Sequence, residues 1–267
     1  AAAAAARGIC QRRAGLARDA GPCKGDWPPA ASAVLPSNAA EEEHAKHAAW
    51  GLMQEVDLDD LGKVHIRELP LADGVQGSTG CQLWPSSVAL GRVILQNRSL
   101  VAGKSVLELG AGCGFASIVA ARFADTVCVT DADTDALDNA CHNVACNGAF
   151  WTGAAPDEGP ARRPSACLLR WGDVAARGWP SALRVDVVIA SDVLYGNWGD
   201  LIARVVRLLL VPGGLFLMLS AEDREGLAGF EQRIVAMGFD VQLSHQHDDG
   251  QRFLVYTCRS KAEASAD

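Results

Sequence analysis

Short apolar runs and amphipathic segments alternate along the C-terminal two thirds of the chain. The apolar runs predict buried strands at residues 105–109, 126–130, 166–171, 186–190 and 215–220. Apolar residues that recur every three or four positions predict helices at residues 115–123, 134–147, 198–210 and 226–237. Residues 241–245 and 253–258 are predicted strands whose connection is too short for a parallel crossover. The pattern therefore predicts an α/β fold with a seven-stranded, mostly parallel sheet that ends in an antiparallel hairpin, with helices on both faces.

Upstream of this pattern, residues 41–80 predict a smaller N-terminal extension. Residues Glu41–Val56 have apolar side chains on one side of a predicted helix, and Lys63–Leu69 alternates as a strand does. Ser86 or Ser87 is the expected N-cap of the next helix, and residues 152–163 are an expected surface insertion. We expect four regions, namely a disordered or targeting segment (1–40), a helix-and-hairpin extension (41–80), the main domain (81–260) and a disordered tail (261–267).

Composition and charge exclude several classes of protein. The 267 residues are 49 % hydrophobic and 21 % charged, which is typical of a globular domain. The strongest apolar run, residues 208–221, is interrupted by Pro212-Gly213-Gly214 and is shorter than the roughly 20 residues of a membrane-spanning helix. The net charge is −8, with +3 in residues 1–40 and −11 in the remainder. An acidic body disfavours nucleic acid and favours a basic partner, such as a lysine-rich protein surface.

The nine cysteines indicate a reducing compartment. Their number is odd, several fall in predicted buried segments, and no second close pair accompanies Cys141 and Cys146. We therefore predict no disulfide framework and no metal site, and we expect a cytoplasmic protein. An organellar address in the arginine-rich residues 1–40 is the alternative.

The strongest chemical signal is a glycine-rich loop after the first buried strand. Gly110, Gly112 and Gly114 form a G-x-G-x-G pattern between that strand and a helix, and glycine lets the backbone approach a ligand closely. Asp131 ends the next strand, 21 residues beyond Gly110, where an acid can accept hydrogen bonds from both ribose hydroxyls. Phe115 stands where a dinucleotide-binding loop has its third glycine, and no Lys-Ser/Thr pair follows. The loop therefore predicts a nucleoside cofactor without a pyrophosphate.

Four separated segments resemble the seven-β-strand S-adenosylmethionine-dependent methyltransferases, whose fold is Rossmann-like. Glu108–Gly114 with Asp131 resembles motif I and the acid that follows it. Gly80–Pro85, Trp171-Gly172-Asp173 and Ser191–Tyr195 resemble segments of the D-x-x-Y subgroup, which methylates protein lysines. The resemblance covers about residues 81–259 and implies S-adenosylmethionine as the cofactor. It implies cofactor contacts from Trp84, Glu108, Gly110, Ala111, Gly112, Gly114, Asp131, Trp171, Asp173 and Ser191.

Asp192 and Tyr195, the acid and the aromatic of D-x-x-Y, are the predicted catalytic residues. They are expected beside the methyl group, where a carboxylate and an aromatic ring can orient a lysine ammonium. A lysine has a pKa of about 10.4 and must lose a proton before it attacks. Whether Asp192 takes this proton or only positions the amine is open. Trp171 can pack against the adenine and Asp173 can accept from its amino group. We expect a monomeric lysine N-methyltransferase with a protein substrate and with no nucleic-acid or membrane partner.

Other functions are compatible with parts of this pattern. The acceptor could instead be a small molecule, or an arginine or histidine of a protein. Methylation of a nucleic-acid base is disfavoured because Val193-Leu194 replaces the two prolines expected between the acid and the aromatic residue. A nicotinamide-dependent oxidoreductase is disfavoured by Phe115, and a non-catalytic binding module by the intact glycines, Asp131 and D-x-x-Y. Asp192 could also merely cap the helix that follows it.

Overall fold

The computed structural model describes residues 51–69, 79–148, 150 and 164–261. The strands are β1 (Leu52–Asp57), β2 (Lys63–Glu68), β3 (Ser105–Leu109), β4 (Thr126–Asp131), β5 (Ser165–Leu168), β6 (Val185–Ser191), β7 (Leu210–Ala221), β8 (Phe239–Asp248) and β9 (Gln251–Ser260). The helices of this part are α1 (Pro85–Gln96), α2 (Phe115–Ala120), α3 (Thr134–Cys146), α4 (Trp171–Arg177), α5 (Gly199–Leu209) and α6 (Leu227–Ala236). Not one of these helices is long and apolar enough to cross a membrane.

Strands β3 to β9 form one sheet in the order β5-β4-β3-β6-β7-β9-β8. Strands β3 to β7 run parallel to one another, whereas β9 is antiparallel to both β7 and β8. The chain moves outward from β3 through β4 to β5 and then returns to add β6 on the other side of β3. Strands β3 and β6 therefore flank the switch point, and open α/β sheets bind ligands at the carboxyl ends of such strands. The predicted fold class is confirmed.

Alternate side chains of the central strands enter two separate cores. On one face, Val106 and Ile189 pack with residues of α1, α2 and α3. On the other face, Leu107 and Val188 pack with residues of α4, α5 and α6. Burial on both faces explains why these strands are continuous apolar runs in the sequence.

Strands β1 and β2 form a separate hairpin that is fixed to α3 by asparagine side chains. The Asn143 amide accepts from the Arg67 backbone N–H at 2.8 Å and donates to the Arg67 carbonyl at 3.2 Å. Asn147 makes the same pair with His65, at 2.9 and 2.7 Å, and Asn139 also donates to the Arg67 carbonyl. Four residues of a helix and two residues of a strand both span about 6 to 7 Å, so the two repeats stay in register. The outer edge of β2 is thus satisfied by side chains instead of by another strand.

The helix predicted over Glu41–Val56 is wrong for its last five residues. Residues 41–50 lie outside the described residues, but Leu52–Asp57 is strand β1. This strand pairs antiparallel with Lys63–Glu68 over its whole length. The apolar residues at 52, 53 and 56 fit a helical period, yet strand pairing overrides so weak a local preference.

The remaining predicted elements in the described part are confirmed, with shifted ends. Trp84, and not Ser86 or Ser87, is the N-cap of α1, and Pro85 occupies its first turn. Trp171 does not end a strand, because β5 stops at residue 168 and Trp171 begins α4. Strand β7 begins before the Pro-Gly-Gly sequence that was expected to precede it. The expected insertion at 152–163 lies outside the described residues.

Candidate active site

The loop between β3 and α2 has three glycines in the left-handed backbone region. The φ angles are 60°, 55° and 78° at Gly110, Gly112 and Gly114. A Cβ atom at Gly112 would lie 2.9 Å from the carbonyl oxygen of Gly80, closer than real Cβ atoms come to backbone. The loop therefore requires glycine for its own geometry. Its backbone lies at the carboxyl edge of the sheet, as the sequence predicts.

Asp131 connects this loop to the end of β4. Its Oδ2 accepts the N–H of Gly112 and its Oδ1 accepts the N–H of Asp133, both at 3.0 Å. Ala111 adds a second link by donating its N–H to the Thr130 carbonyl at 2.9 Å. Burial raises the pKa of Asp131 because desolvation disfavours the charged carboxylate, and the backbone donors oppose that rise. A carboxylate has about four lone-pair positions, so Asp131 retains capacity to accept from hydroxyl groups.

Glu108 lies apart from this edge, in the core beneath α2. It is fully buried, and its Oε2 accepts both the backbone N–H and the hydroxyl of Ser117. Its Oε1 has no hydrogen-bond partner among the described residues. The side chain therefore secures the start of α2 behind the glycine loop, and a direct contact between Glu108 and a cofactor stays a prediction.

We expect the stability of the protein to fall with pH because of Glu108. Burial raises the pKa of Glu108 to about 7, above its ordinary value of 4.5, so the folded protein retains a proton that the unfolded chain has lost. The stability gained in this way is complete below pH 4.5 and is lost as the pH rises through 7. From about pH 5.5 to about pH 8.5, the wild type should lose about 2 kcal/mol relative to Glu108→Gln. Denaturant unfolding of both proteins measures this difference, and parallel pH profiles would contradict it.

An aromatic cluster follows β6 and borders the glycine loop. The rings of Trp171 and Trp198 meet edge to face with centroids 5.2 Å apart, and those of Tyr195 and Trp198 lie 5.1 Å apart. Trp171 is only 7 % exposed, whereas Tyr195 is 50 % and Trp198 44 % exposed. A Cβ atom at Gly110 would lie 3.3 Å from the Trp171 ring and 3.1 Å from Val193. Trp171 is therefore buried against the loop, whereas the rings of Tyr195 and Trp198 are exposed to solvent.

Trp198 is the member of this cluster that the sequence interpretation missed. It precedes α5, three residues after Tyr195, and a lone tryptophan before a helix predicts no function. The signal in the sequence is the spacing of three positions between Tyr195 and Trp198, which can place two aromatic rings close together.

Asp192 lies at the end of β6 in an ion pair with Arg224. The Arg224 Nε donates to Oδ1 of Asp192 at 2.6 Å, and a second guanidinium nitrogen donates to Oδ2. Burial raises the pKa of Tyr195, and the nearby charges of Asp131 and Asp192 raise it further. Tyr195 therefore stays a neutral phenol, and the charges of both carboxylates act on it.

The other predicted residues lie around the same edge. Ser191 is the last residue of β6 and Asp173 is in the first turn of α4. Trp84 is half-exposed and its indole N–H donates to the Thr79 carbonyl at 2.9 Å. Thr79 precedes Gly80, whose carbonyl lies against the glycine loop. The structure thus brings the loop, Asp131, the D-x-x-Y residues and the start of α4 to one edge of the sheet. Glu108 is instead buried in the core beneath α2.

Comparison with known proteins finds lysine methyltransferases. A family model described as lysine methyltransferase matches residues 64–225. Protein-lysine N-methyltransferase EFM3 of Chaetomium thermophilum is 26 % identical over 174 residues, which are 61 % of this chain and 49 % of that protein. EEF1A lysine methyltransferase 3 of Mus musculus is 27 % identical over 195 residues, which are 72 % of this chain and 78 % of that protein. The chain spans about half the length of the first of these relatives.

A solved structure with a similar fold is the T. thermophilus 16S rRNA N2 G1207 methyltransferase RsmC, in complex with AdoMet and guanosine. Its TM-score with this chain is 0.55 and the sequences are 17 % identical. The match covers 79 % of this chain and 51 % of that one. At this level of identity, the likeness shows the fold alone.

Proposed function

Because this chain belongs to the lysine methyltransferase family, we propose that it transfers a methyl group from S-adenosylmethionine to a lysine of a protein substrate. The observation that carries the proposal is the exposed ring of Tyr195, which packs against Trp198 and through it adjoins Trp171 at the glycine loop. The charges of Asp131 and Asp192 both raise the pKa of this phenol. Asp131 belongs to the side of the site suited to a nucleoside. Asp192 belongs to the side suited to an amine. A cofactor and an acceptor can therefore meet at Tyr195.

The residues at the glycine loop suit S-adenosylmethionine. Asp131 has acceptor capacity for ribose hydroxyls, and residues 110–114 include no lysine or arginine that would bind a phosphate. We assign the amino-acid part of the cofactor to the loop backbone, with Trp84 and Ser191 nearby, and the adenine to the edge of Trp171 and to Asp173. When bound, the cofactor supplies a methyl group on a positively charged sulfur. Gly110, Ala111 and Gly112, which have no side chain larger than a methyl group, let the loop backbone approach the amino-acid part of the cofactor.

The exposed rings suit a lysine as the acceptor. The faces of Tyr195 and Trp198 attract an ammonium and guide it toward the methyl group. The ammonium releases one proton to water, and the amine nitrogen then forms the new N–C bond with its lone pair. S-adenosylmethionine, when bound, would supply the methyl group and would retain the electron pair of the broken S–C bond on sulfur, so the product would be a methylammonium. Alignment at the site and exclusion of water supply much of the acceleration.

Incubation with methyl-labelled S-adenosylmethionine and a cell lysate, followed by mass spectrometry, tests the proposed function. We expect label on lysine side chains of a protein. Asp131→Ala is the control, because it removes the carboxylate proposed to hold the ribose, and label that persists with it comes from enzymes of the lysate. Label that depends on Asp131 but lies on arginine, histidine, nucleic acid or a small molecule would overturn the proposal.

We further propose that the substrate presents its lysine on a basic surface and that the reaction takes place in the cytoplasm. The net charge of −8 supports the first point because it attracts cationic proteins at long range. The nine cysteines support a reducing compartment. Nucleic acid, whose phosphates an acidic chain repels, is the disfavoured partner.

Trp198→Ala is expected to weaken binding of the lysine substrate more than binding of S-adenosylmethionine. Loss of one exposed ring from a cation–π site should raise the KM of the lysine substrate by about fivefold to tenfold. Trp198→Phe retains a ring face and should stay within about twofold of the wild type. Initial rates measure KM, and calorimetry measures the Kd of S-adenosylmethionine, which should not change. Equal KM values for the two variants would argue against a role of the ring.

A further inference from the structure

Asp192 is bound on both of its carboxylate oxygens. Arg224 donates from Nε to Oδ1 at 2.6 Å and from a second nitrogen to Oδ2, and the Ala221 N–H also faces Oδ1 at 3.4 Å. The Asp192 side chain is 10 % exposed and that of Arg224 is 32 % exposed. Two parallel N–H···O bonds from one guanidinium fix both the distance and the plane of a carboxylate. The acid of the D-x-x-Y motif is therefore one half of a mostly buried ion pair.

The backbone of Asp192 is constrained as well. Its φ angle is +57°, in the left-handed region that residues with a Cβ rarely adopt, and its N–H donates to the Leu219 carbonyl at 2.8 Å. Such a conformation is strained, and the surrounding contacts must maintain it. Arg224 supplies two of the three hydrogen bonds that the Asp192 carboxylate accepts, and the Ala221 N–H supplies the third. Arg224 thus helps to fix the residue at which the chain leaves β6 toward Tyr195.

The charged groups around this pair are few among the described residues. The hydrogen bonds with Asp192 raise the pKa of Arg224, and the charge of Asp223 adds to the effect. Asp131 and Asp192 are the charged groups that raise the pKa of Tyr195 after burial. Two carboxylates therefore act on Tyr195, and that of Asp192 is matched by a guanidinium.

We propose that Arg224 is a positioning residue that holds Asp192 and cancels its charge at the acceptor position, an inference that rests on the proposed function. A lone carboxylate would stabilise the ammonium form of the substrate lysine and so oppose the loss of its proton. A carboxylate paired with arginine stabilises the ammonium less, and the reactive amine forms at lower pH. Asp192 then orients the acceptor as part of the pair and does not act as the proton acceptor.

The first test needs neither cofactor nor substrate, because the chain has only two tyrosines. Tyr256 is buried, donates to Glu231 and has a raised pKa, so Tyr195 titrates first. In protein labelled with ¹³Cζ-tyrosine, NMR should show that Arg224→Gln raises the pKa of Tyr195 by about half a unit or more, and that Asp192→Asn lowers it. Arg224→Lys keeps the charge and should stay near the wild type.

Arg233→Gln is the matched control for this titration. Arg233 pairs with Asp200 on the exposed surface, so the variant removes the same kind of pair away from the site. It should leave the pKa of Tyr195 unchanged. If Arg224→Gln matches Arg233→Gln in the titration, Arg224 does not balance Asp192 and the inference is overturned. Should Arg224→Gln fail to fold, Arg224→Met, which keeps the length of the side chain but not its charge, carries the test, and an unchanged pKa of Tyr195 in that variant overturns the inference.

The second test is the pH dependence of kcat/KM with the lysine-bearing protein that the labelling experiment identifies. Arg224→Gln should move the rise of the profile to higher pH by about one unit, and Arg224→Lys should restore its position. A merely structural role would lower the rate without moving the profile, and this outcome overturns the inference. Absence of lysine transfer by the wild type would instead overturn the proposed function, while the tyrosine titration would still decide whether the pair balances charge.

Discussion

Replacing Asp192 with alanine is expected to lower methyl transfer by about 1,000-fold or more, while the Kd of S-adenosylmethionine changes by less than about threefold. The variant removes the group that orients the acceptor and leaves the positive charge of Arg224 unmatched. A cation without its partner repels the incoming ammonium. The residues assigned to the nucleoside come from other elements, namely the end of β4 and the start of α4.

Asp200→Ala is the control for this result. It also removes an aspartate from an arginine pair, but on the exposed face of α5. Its turnover should stay within about twofold of the wild type, since surface pairs contribute little. Single-turnover assays with mass spectrometry measure transfer, and calorimetry measures cofactor binding. Turnover of Asp192→Ala above about a tenth of the wild-type rate would show that Asp192 is dispensable, and a large loss of cofactor affinity would move its role to the nucleoside side.

The part of the site that sequence could predict is the part built from neighbouring residues. The apolar run at 105–109, the glycines after it and Asp131 lie within 27 residues of one another. Each follows from local rules, because a parallel strand must turn into a helix and the next strand must end at the same edge. The fold class follows from the same rules and is confirmed. The cofactor roles of the individual residues stay proposals.

The contacts between distant segments could not be predicted in this way. Arg224 meets Asp192 across 32 positions because β6 and β7 are adjacent and end together. Asn143 of α3 and Asn147 at the C-cap of α3 contact β2 across 76 and 82 positions. Polar residues on a helix ordinarily face solvent, so Asn143 alone gives no sign that it pairs with a strand edge. Such contacts depend on the assembled fold and on no local pattern.

Trp171 illustrates a different limit of sequence interpretation. A large apolar residue one position beyond an apolar run extends the predicted strand, and only the pairing of β5 with β4 determines where that strand stops. The shift changes the surroundings of the ring. At the start of α4, the ring packs beneath Trp198 and against the glycine loop, and it does not project from a strand end.

Gly199→Ala is expected to destabilise the protein by about 4 kcal/mol or more, an unusually large loss for one methyl group. A Cβ atom at this position would lie 2.2 Å from the Gly226 carbonyl oxygen and 2.6 Å from the Phe230 backbone nitrogen. Both neighbours are backbone atoms of the segment that forms α6, so no side chain can rotate away. Helices α5 and α6 must separate. Because α5 begins directly after Trp198, the separation should also lower methyl transfer.

Gly229→Ala is expected to have the opposite effect on stability. Gly229 lies on α6, the helix that faces Gly199. A Cβ atom there meets nothing within 4 Å, and alanine loses less backbone entropy than glycine when a helix forms. This variant should therefore stabilise the protein by about 0.5 to 1 kcal/mol. Both glycines are helical and neither has a positive φ angle, so the two positions differ mainly in the room for a Cβ atom. The difference between their free energies of unfolding, measured with denaturant, therefore reports the cost of the clash at Gly199. If Gly199→Ala loses less than about 1 kcal/mol, the two helices can part at little cost, and close packing at Gly199 does not fix the position of Trp198.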